Sequence, residues 1–179
     1  NTFPGHLGIT GLAEKESASI GEGYAYEQGL VPTPVVAGGW LYAMDGAGAI
    51  SAHKTTDLDT VRWVATAMVE EDEPAIIGGG LALDEGTLYA ATGYGRVAAF
   101  DAATGKKKWS ILVGVPVRGA PQAKGKVLVV LTVDNQTLAF DSESGRALWT
   151  HRGIRETAGY LSATSPVILD EVVVAAYSS

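Results

Sequence analysis

The sequence of 179 residues contains no cysteine, and this absence excludes several kinds of chemistry at once. Without thiols, the chain has no disulfides, no thiolate metal ligands and no cysteine nucleophile. It also has few basic residues, because 13 Lys and Arg stand against 20 Asp and Glu and the formal net charge is −7. Nucleic-acid binding needs a basic stripe, whereas the one basic run, Lys106–Lys108, is more simply a solvated turn. We therefore expect no nucleic-acid partner.

Long hydrophobic runs are also missing. A membrane-spanning helix needs about 18 consecutive apolar residues, and no stretch of this sequence approaches that length. The chain begins with "NTFPGHLG", which has neither an initiator methionine nor a signal-peptide pattern, so we expect a processed or truncated product. Hydrophobic residues at 46% and charged residues at 18% are typical of a folded globular domain.

Motifs for catalysis and metal binding are absent as well. His6, His53 and His151 are scattered without the spacing of a zinc site, and no G-x-S-x-G nucleophile motif occurs. The acidic run in 69–74 lacks the alternating oxygens and central glycine of a calcium loop, which favours a solvated insertion. The "GYGRVA" stretch at 93–98 leads into a strand pattern and not into a helix, so it predicts a hairpin turn. We predict no catalytic residue, no metal site and no cofactor.

What the sequence does contain is a repeat. The stretch "FDAATGKKKW" at 100–109 recurs as "FDSESGRALW" at 140–149, and the similarity extends over the preceding residues without a gap. A weaker earlier copy has His53 and Lys54 in place of Phe-Asp. The repeats lie at approximately 33–63, 78–109 and 120–149, with the start of a fourth at 165–179.

Each copy is built from short apolar runs bounded by Gly, Pro, Asn and Asp, which are strand signals. A unit of four strands that recurs about every 40 residues is typical of a propeller blade. The sequence therefore predicts an all-β fold, a β-propeller of four-stranded antiparallel blades in an incomplete ring of about three to four blades. We expect residues 1–179 to form a single partial propeller domain.

The conserved spacing inside the repeat predicts a structural blade motif. The aspartates accept backbone hydrogen bonds that close a tight turn, and the glycines supply the positive φ that such a turn needs. One tryptophan per blade, on the outer strand, is expected to cover the neighbouring blade. The residues of this motif are Asp101, Gly105, Trp109, Asp141, Gly145, Trp149 and Trp63.

Residues 98–109, "AAFDAATGKKKW", fit the A-x-D-x-x-T-G-K-x-x-W pattern of pyrroloquinoline-quinone-type propeller repeats. Residues 138–149, "LAFDSESGRALW", fit it with Ser for Thr and Arg for Lys. Two families use this repeat, the quinoprotein dehydrogenases and the BamB lipoproteins of outer-membrane β-barrel assembly. Segments outside the pattern, such as "VPVRGAP" at 115–121 and "TVDNQTLAFD" at 132–141, resemble the BamB family.

The resemblance implies a non-catalytic scaffold on the periplasmic face of the bacterial outer membrane, which assists the folding and insertion of outer-membrane proteins. It implies binding to the POTRA domains of BamA and to the barrel assembly complex through loops between blades. Contact with the membrane would come through an N-terminal lipid anchor that is absent from this chain. Because the ring is incomplete and leaves edges uncovered, a homodimer of the fragment is a further expectation.

The resemblance also implies partner-binding residues. Val115 and Val117 match apolar contact positions of the family and Arg118 matches its interface arginine, whereas Leu161 and Ala163 are uncharged where the family has acidic residues. Alternatively, Val115 and Val117 simply start the next blade and Arg118 is solvated. A second alternative is a fragment of a quinoprotein alcohol or sugar dehydrogenase, which holds its quinone over Ca²⁺; the lack of a vicinal cysteine pair disfavours it.

Overall fold

The structure is a computed structural model that describes residues 17–18, 32–69, 78–153 and 164–177. Within these residues the chain forms three four-stranded sheets and one two-stranded hairpin. Leu161, Ala163, His6 and the acidic residues 70–73, all considered above, lie outside the described residues. No helix in the described part of the chain has the length and apolar character required to cross a bilayer.

The three sheets, here called blades 1, 2 and 3, follow one another along the chain. Blade 1 contains β1 (Val35–Ala37), β2 (Trp40–Met44), β3 (Ala49–Lys54) and β4 (Asp57–Thr66). Blade 2 contains β5 (Gly79–Asp84), β6 (Thr87–Thr92), β7 (Arg96–Asp101) and β8 (Lys107–Leu112). Blade 3 contains β9 (Gln122–Lys124), β10 (Val127–Leu131), β11 (Gln136–Asp141) and β12 (Ala147–Arg152). The hairpin of β13 (Val167–Leu169) and β14 (Val172–Val174) follows.

Each blade is an antiparallel meander, since every strand pairs with the next one in the sequence. The register repeats between blades: Leu88 pairs with Phe100 in blade 2, and Leu128 pairs with Phe140 in blade 3. The prediction of an all-β fold with four-stranded antiparallel blades is therefore confirmed. The outer strands run three residues past each tryptophan, to Thr66, Leu112 and Arg152.

The first strands of successive blades lie against one another, which places them on the inner side of the ring. Small residues permit this approach. A Cβ added to Gly80 of β5 would lie 2.7 Å from Cα of Ala120, just before β9. A Cβ added to Gly119 would likewise lie 2.8 Å from the carbonyl oxygen of Thr164. The crowded inner strands give the stack of sheets its wedge shape, which is the geometry of a propeller.

The hydrophobic core lies between blades, because alternate side chains of each strand point to opposite faces of its sheet. One cluster fills the space between blades 1 and 2, and its buried members are Tyr42, Met44, Ile50, Ala52, Trp63, Ala67, Leu81, Leu88, Ala90, Ala98, Phe100 and Ala102. A second fills the space between blades 2 and 3, with Tyr89, Ala91, Val97, Ala99, Val117, Ala123, Leu128, Val130 and Phe140.

The outer strands begin two residues before the tryptophan in blades 2 and 3, whereas the sequence pattern predicts entry at the tryptophan itself. In blade 2, Phe100 pairs with Lys107 and Ala99 pairs with Trp109, with a register shift between the two pairs. The same shift occurs between Ala139 and Phe140 in blade 3. This β-bulge leaves one residue of the outer strand unpaired, and it re-aims the side chains that follow it.

Candidate functional site

The Asp-to-Gly turn between the third and fourth strands is closed by its own side chains. Oδ1 of Asp101 accepts hydrogen bonds from the backbone N–H of Thr104 at 2.8 Å and from the Thr104 hydroxyl at 2.7 Å. Gly105, with φ of +72°, donates its N–H to the carbonyl of Asp101 at 2.8 Å. These hydrogen bonds, chiefly the one from the Thr104 side chain, hold the pKa of Asp101 below its ordinary value.

Blade 3 repeats this turn. Oδ1 of Asp141 accepts hydrogen bonds from the N–H of Ser144 at 2.9 Å and from its hydroxyl at 2.6 Å. The Ser144 side chain is the main cause of a lowered pKa at Asp141. Gly145 has the same φ of +72° as its counterpart in blade 2. The two turns are therefore equivalent in geometry, as they are in sequence.

Each turn receives the tryptophan of the preceding blade. The indole N–H of Trp63 in blade 1 donates to the carbonyl of Ala102 at 3.0 Å, and the Tyr42 hydroxyl donates to the same carbonyl at 3.2 Å. The Trp63 ring lies flat over Gly105, where an added Cβ would come within 2.6 Å of the indole. We call this arrangement of tyrosine, tryptophan and turn the clasp. It explains why the turn carries glycine at that position.

The second clasp joins blades 2 and 3. Trp109 donates to the carbonyl of Ser142 at 3.0 Å, and the Tyr89 hydroxyl donates to it at 3.4 Å. A Cβ added to Gly145 would lie 2.8 Å from the Trp109 ring. Burial raises the pKa of Tyr89, as it does that of Tyr42, so both phenols remain protonated donors. Trp149 occupies the same position in blade 3, but 42% of its surface is exposed.

Blade 1 departs from this pattern. In place of Phe-Asp it has His53, whose Nδ1 lies 2.7 Å from the carbonyl of Leu58 and whose Nε2 lies 2.8 Å from Oγ of Ser51. Both ring nitrogens of His53 therefore have partners within the blade. Among the residues that the structure describes, no group of three or more His, Cys, Asp or Glu side chains is placed to hold a metal ion.

The opposite end of the blades presents a second set of loops, here called the loop face. It consists of the β2–β3, β6–β7 and β10–β11 hairpin tips together with the connection that follows β8 and the described residues directly after β4 and β12. In each blade, the N–H just after the fourth strand donates to a tip carbonyl, and these bonds are Ala67 to Gly48 at 3.0 Å, Val113 to Gly95 at 2.7 Å and Gly153 to Asn135 at 2.8 Å. The tips of blades 1 and 2 are joined by the Tyr94 hydroxyl, which donates to the carbonyl of Gly46 at 3.0 Å.

The connection between blades 2 and 3 contains the three residues that the sequence predicts to bind a partner. Val115 is half-buried on the loop face, and its carbonyl oxygen would lie 2.8 Å from a Cβ added to Gly95. Val117 is fully buried in the cluster between blades 2 and 3 and forms a β-bridge with Thr132. The connection is thus wedged between two blades, with Val115 towards the solvent.

Arg118 is 3% exposed, so the arginine that the sequence places on a loop lies inside the chain. Its backbone N–H donates to the carbonyl of Leu131 at 2.7 Å. Its Nη2 donates to the carbonyl of Val133 and to Oδ1 of Asn135, both at 3.1 Å. The structure therefore brings the predicted residues together with the β10–β11 tip, which contains none of the predicted binding residues.

A family model described as "Outer membrane protein assembly factor BamB" matches residues 48–179, which include blades 2 and 3 and most of blade 1. The chain belongs to the BamB family. The similarity thus covers the second clasp, all of the first clasp except Tyr42, and the connection that carries Val115, Val117 and Arg118.

A BamB of Bordetella pertussis is 30% identical to the chain over 158 residues, which is 88% of this chain and 38% of that protein. The crystal structure of BamB from Moraxella catarrhalis superposes with a TM-score of 0.60 at 20% identity, over 78% of this chain and 39% of that one. This second likeness shows the propeller fold. The chain spans well under half the length of these BamB proteins.

The repeat is shared with enzymes. The quinohemoprotein alcohol dehydrogenase of Comamonas testosteroni is 28% identical over 139 residues, which is 68% of this chain and 20% of that protein. Blade architecture alone therefore does not separate the two families.

Proposed function

We propose that the chain acts as a non-catalytic scaffold in the assembly of outer-membrane β-barrel proteins. The observation that carries this proposal is the family match across residues 48–179, within which the loop face is built by the same repeat that builds the blades. In this role the protein lies at the periplasmic face of the outer membrane and assists the folding and insertion of barrel proteins. The clasps hold the blades, and the loop face remains available for a partner.

The partner is the set of POTRA domains of BamA, and the binding segment is the connection that contains Val115, Val117 and Arg118. Val115 supplies a partly accessible apolar side chain on the loop face. Val117 and Arg118 are buried, so they support the segment from beneath. Leu112, at the start of the same connection, is 61% exposed and extends the apolar surface. Apolar groups held on a rigid support lose little conformational entropy when they bind.

The test is the affinity of the chain for purified POTRA domains, measured by calorimetry or surface-based binding. Val115→Glu places a charge on the apolar contact, and we expect it to weaken binding at least about tenfold, which is a typical effect at the centre of an interface. Arg118→Glu is expected to weaken it as well. Lys107→Glu is the matched control for Arg118→Glu, because it makes the same change of charge on the exposed outer strand of blade 2, and it also places a glutamate outside the proposed contact.

Binding by Lys107→Glu should stay within about twofold of the unsubstituted chain, since exposed residues outside an interface contribute little. If Val115→Glu and Arg118→Glu bind the POTRA domains as tightly as Lys107→Glu does, the connection between blades 2 and 3 is not the binding segment. Circular dichroism of each variant separates a lost contact from a lost fold.

A second candidate function is that of a propeller segment of a quinoprotein alcohol dehydrogenase, because a protein of that name is 28% identical over 68% of this chain. Pyrroloquinoline quinone in such a protein sits over Ca²⁺ and carries the redox chemistry. Titration of the chain with the quinone and Ca²⁺, followed by absorbance, distinguishes the candidates. Stoichiometric binding would favour the dehydrogenase, and no binding together with affinity for POTRA domains would favour the scaffold.

The proposal includes self-association of this chain. Apolar side chains are exposed at the end of the array that β12, β13 and β14 form, and they include Trp149 at 42% and Val172 at 60%. Sedimentation velocity over a range of concentrations measures this directly. A monomer at every concentration up to about 100 μM would contradict self-association, since weak homodimers have dissociation constants in the micromolar range.

A further inference from the structure

The internal repeat has no second arginine at the position of Arg118. When the 40-residue overlay of blades 2 and 3 is extended back along the sequence, Arg118 falls on Gly78, although Val117 bridges Thr132 where Gly79 pairs with Thr92. Gly78 has a φ of +112°, and a Cβ added to it would lie 2.1 Å from the carbonyl oxygen of Val117. No side chain fits at that position in blade 2, yet blade 3 holds an arginine there and buries it. The arginine is therefore a feature of blade 3 alone among the two overlaid blades.

The guanidinium group of Arg118 binds the tip of the β10–β11 hairpin through Nη2. Nη2 donates to the carbonyl of Val133 and to the side-chain oxygen of Asn135, so it links the residues before and after the apex of the tip. Asn135 has a φ of +60°, a conformation that Gly95 supplies in the corresponding tip of blade 2. An asparagine adds a side-chain acceptor that glycine lacks. Arg118 and Asn135 thus form a pair that blade 2 does without.

The tip that this pair holds has an oriented carboxylate at its apex. Asp134 is half-buried, and its Oδ1 accepts a hydrogen bond from the Thr132 hydroxyl at 2.5 Å. Its Oδ2 accepts one from the Gln136 side-chain amide at 2.5 Å. The residues at the same apex in blades 1 and 2 are Ala47 and Tyr94. Of the three tips that the structure describes, the one beside the predicted binding segment is the one with a charged apex.

We infer that Arg118 acts in partner binding as a positioning residue, which fixes the β10–β11 tip so that the Asp134 carboxylate meets a basic side chain of the partner. This inference rests on the proposed function and refines it, because it moves the charged contact from the arginine to the aspartate. A preorganised carboxylate binds a lysine or arginine without first losing the freedom of the loop. An acidic chain, with a net charge of −7, also attracts a basic partner surface.

Three variants separate the two roles. Asp134→Lys reverses the charge at the apex. Asn135→Gly keeps a residue that tolerates positive φ and removes the side-chain acceptor of Arg118, while the Val133 carbonyl remains as an acceptor. Arg118→Lys keeps the charge and removes the planar donor group. Glu143→Lys is the matched control for charge reversal, because Glu143 is exposed in the same blade at the turn that begins with Asp141, away from the loop face.

The first measurement is affinity for POTRA domains in low and high salt. We expect Asp134→Lys to weaken binding about tenfold or more, with a smaller effect at high salt, because a charged contact is screened by ions. Glu143→Lys should bind as the unsubstituted chain does. If Asp134→Lys binds normally while Arg118→Lys does not, the arginine touches the partner itself and the inference is overturned.

The second measurement is amide hydrogen exchange at residues 132–136 in the free protein. Asn135→Gly and Arg118→Lys should each raise exchange there about threefold to tenfold, which is the effect of one lost hydrogen bond. The double variant should exchange no faster than Arg118→Lys alone, because Arg118→Lys already removes the donor of the bond that Asn135→Gly removes. Unchanged exchange overturns the positioning role whether or not a partner binds. Failure of the unsubstituted chain to bind POTRA domains would overturn the proposed function, and the contact of Asp134 with it.

Discussion

Replacing Trp63 by alanine tests the clasp at its most buried tryptophan. Trp63 is 9% exposed, its ring covers Gly105, and its indole donates to the carbonyl of Ala102 at 3.0 Å. Truncation of a buried tryptophan to alanine lowers the free energy of unfolding by about 3–5 kcal/mol. Most of this comes from the lost packing between blades, because the Tyr42 hydroxyl still donates to the Ala102 carbonyl at 3.2 Å in the variant.

In a domain of this size, each 1 kcal/mol shifts the melting temperature by about 2–4 °C, so Trp63→Ala should melt roughly 6–20 °C lower. The assay is thermal unfolding followed by circular dichroism or calorimetry. Trp149→Ala is the matched control, since it removes the same side chain from the same position of the repeat, where 42% of it is exposed. We expect about 1 kcal/mol or less for the control.

Equal melting temperatures for Trp63→Ala and Trp149→Ala would refute the reasoning, because the two positions differ in burial and in the clasp. Trp63→Phe adds a finer test. Phenylalanine retains an aromatic ring over Gly105 but has no N–H for the Ala102 carbonyl. We expect the melting temperature of Trp63→Phe to lie between those of the unsubstituted chain and Trp63→Ala. A Phe variant no more stable than the Ala variant would contradict the view that packing is the main source of the stability that Trp63 contributes.

The remaining predictions concern the same motif. Trp109→Ala is expected to lower the melting temperature far more than Lys107→Ala, and equal midpoints would contradict the inter-blade role of Trp109. Gly145→Ala should cost more than about 1 kcal/mol in urea unfolding, because its φ is +72° and its Cβ would meet the Trp109 ring; an unchanged midpoint would count against the close contact. The lowered pKa values of Asp101 and Asp141 mean that the stability they contribute is present above the unfolded pKa, about 3.9, and is lost as the pH falls through the lower folded pKa. The urea midpoint should therefore drop between pH 6 and pH 3 by more in the unsubstituted chain than in the double variant Asp101→Asn, Asp141→Asn. An equal drop in both proteins would be inconsistent with this linkage.

The fold was predictable from the sequence because the repeat is written without gaps. When Leu88 and Phe100 recur as Leu128 and Phe140 at one fixed interval, any pairing that suits one blade suits the next. The turn residues carry local information too, since a carboxylate three residues before a threonine or serine closes the same hydrogen bonds wherever it occurs. Both patterns involve residues that are close together in the sequence, so they can be interpreted without knowledge of the tertiary contacts.

The location of Arg118 on a connection between blades was predictable from the sequence, but its burial was not. Resemblance to a family placed Arg118 on an inter-blade connection, and the structure has it there. Its burial depends on how closely blades 2 and 3 approach and on Asn135, whose side chain lies far from it in the sequence. The "DN" pair at 134–135 signals a turn and nothing more, so the pairing of Asn135 with Arg118 has no signature in the sequence.

The exposure of Trp149 is a second property that the sequence does not predict. Its sequence context matches that of Trp109, and its strand occupies the same place in the blade. Its exposure differs because the burial of a clasp tryptophan is decided by the turn of the following blade and not by its own blade. A motif read within one repeat therefore predicts which residue will pack, but it does not predict how completely that residue is covered.

The clasp has a direction. Blades 1 and 2 each offer an indole from the outer strand to the blade ahead, and blades 2 and 3 each accept one at the Asp-to-Gly turn from the blade behind. The described array therefore has a polarity, as a filament does. Blade 1 has no such receiving turn, because its β3–β4 turn carries Thr55, whose N–H is bonded to the carbonyl of Gly39. A tryptophan presented to blade 1, whether by the same propeller or by another molecule, would have no glycine of the β3–β4 turn to pack on. Contacts at that face of blade 1 must therefore differ from those of the clasp.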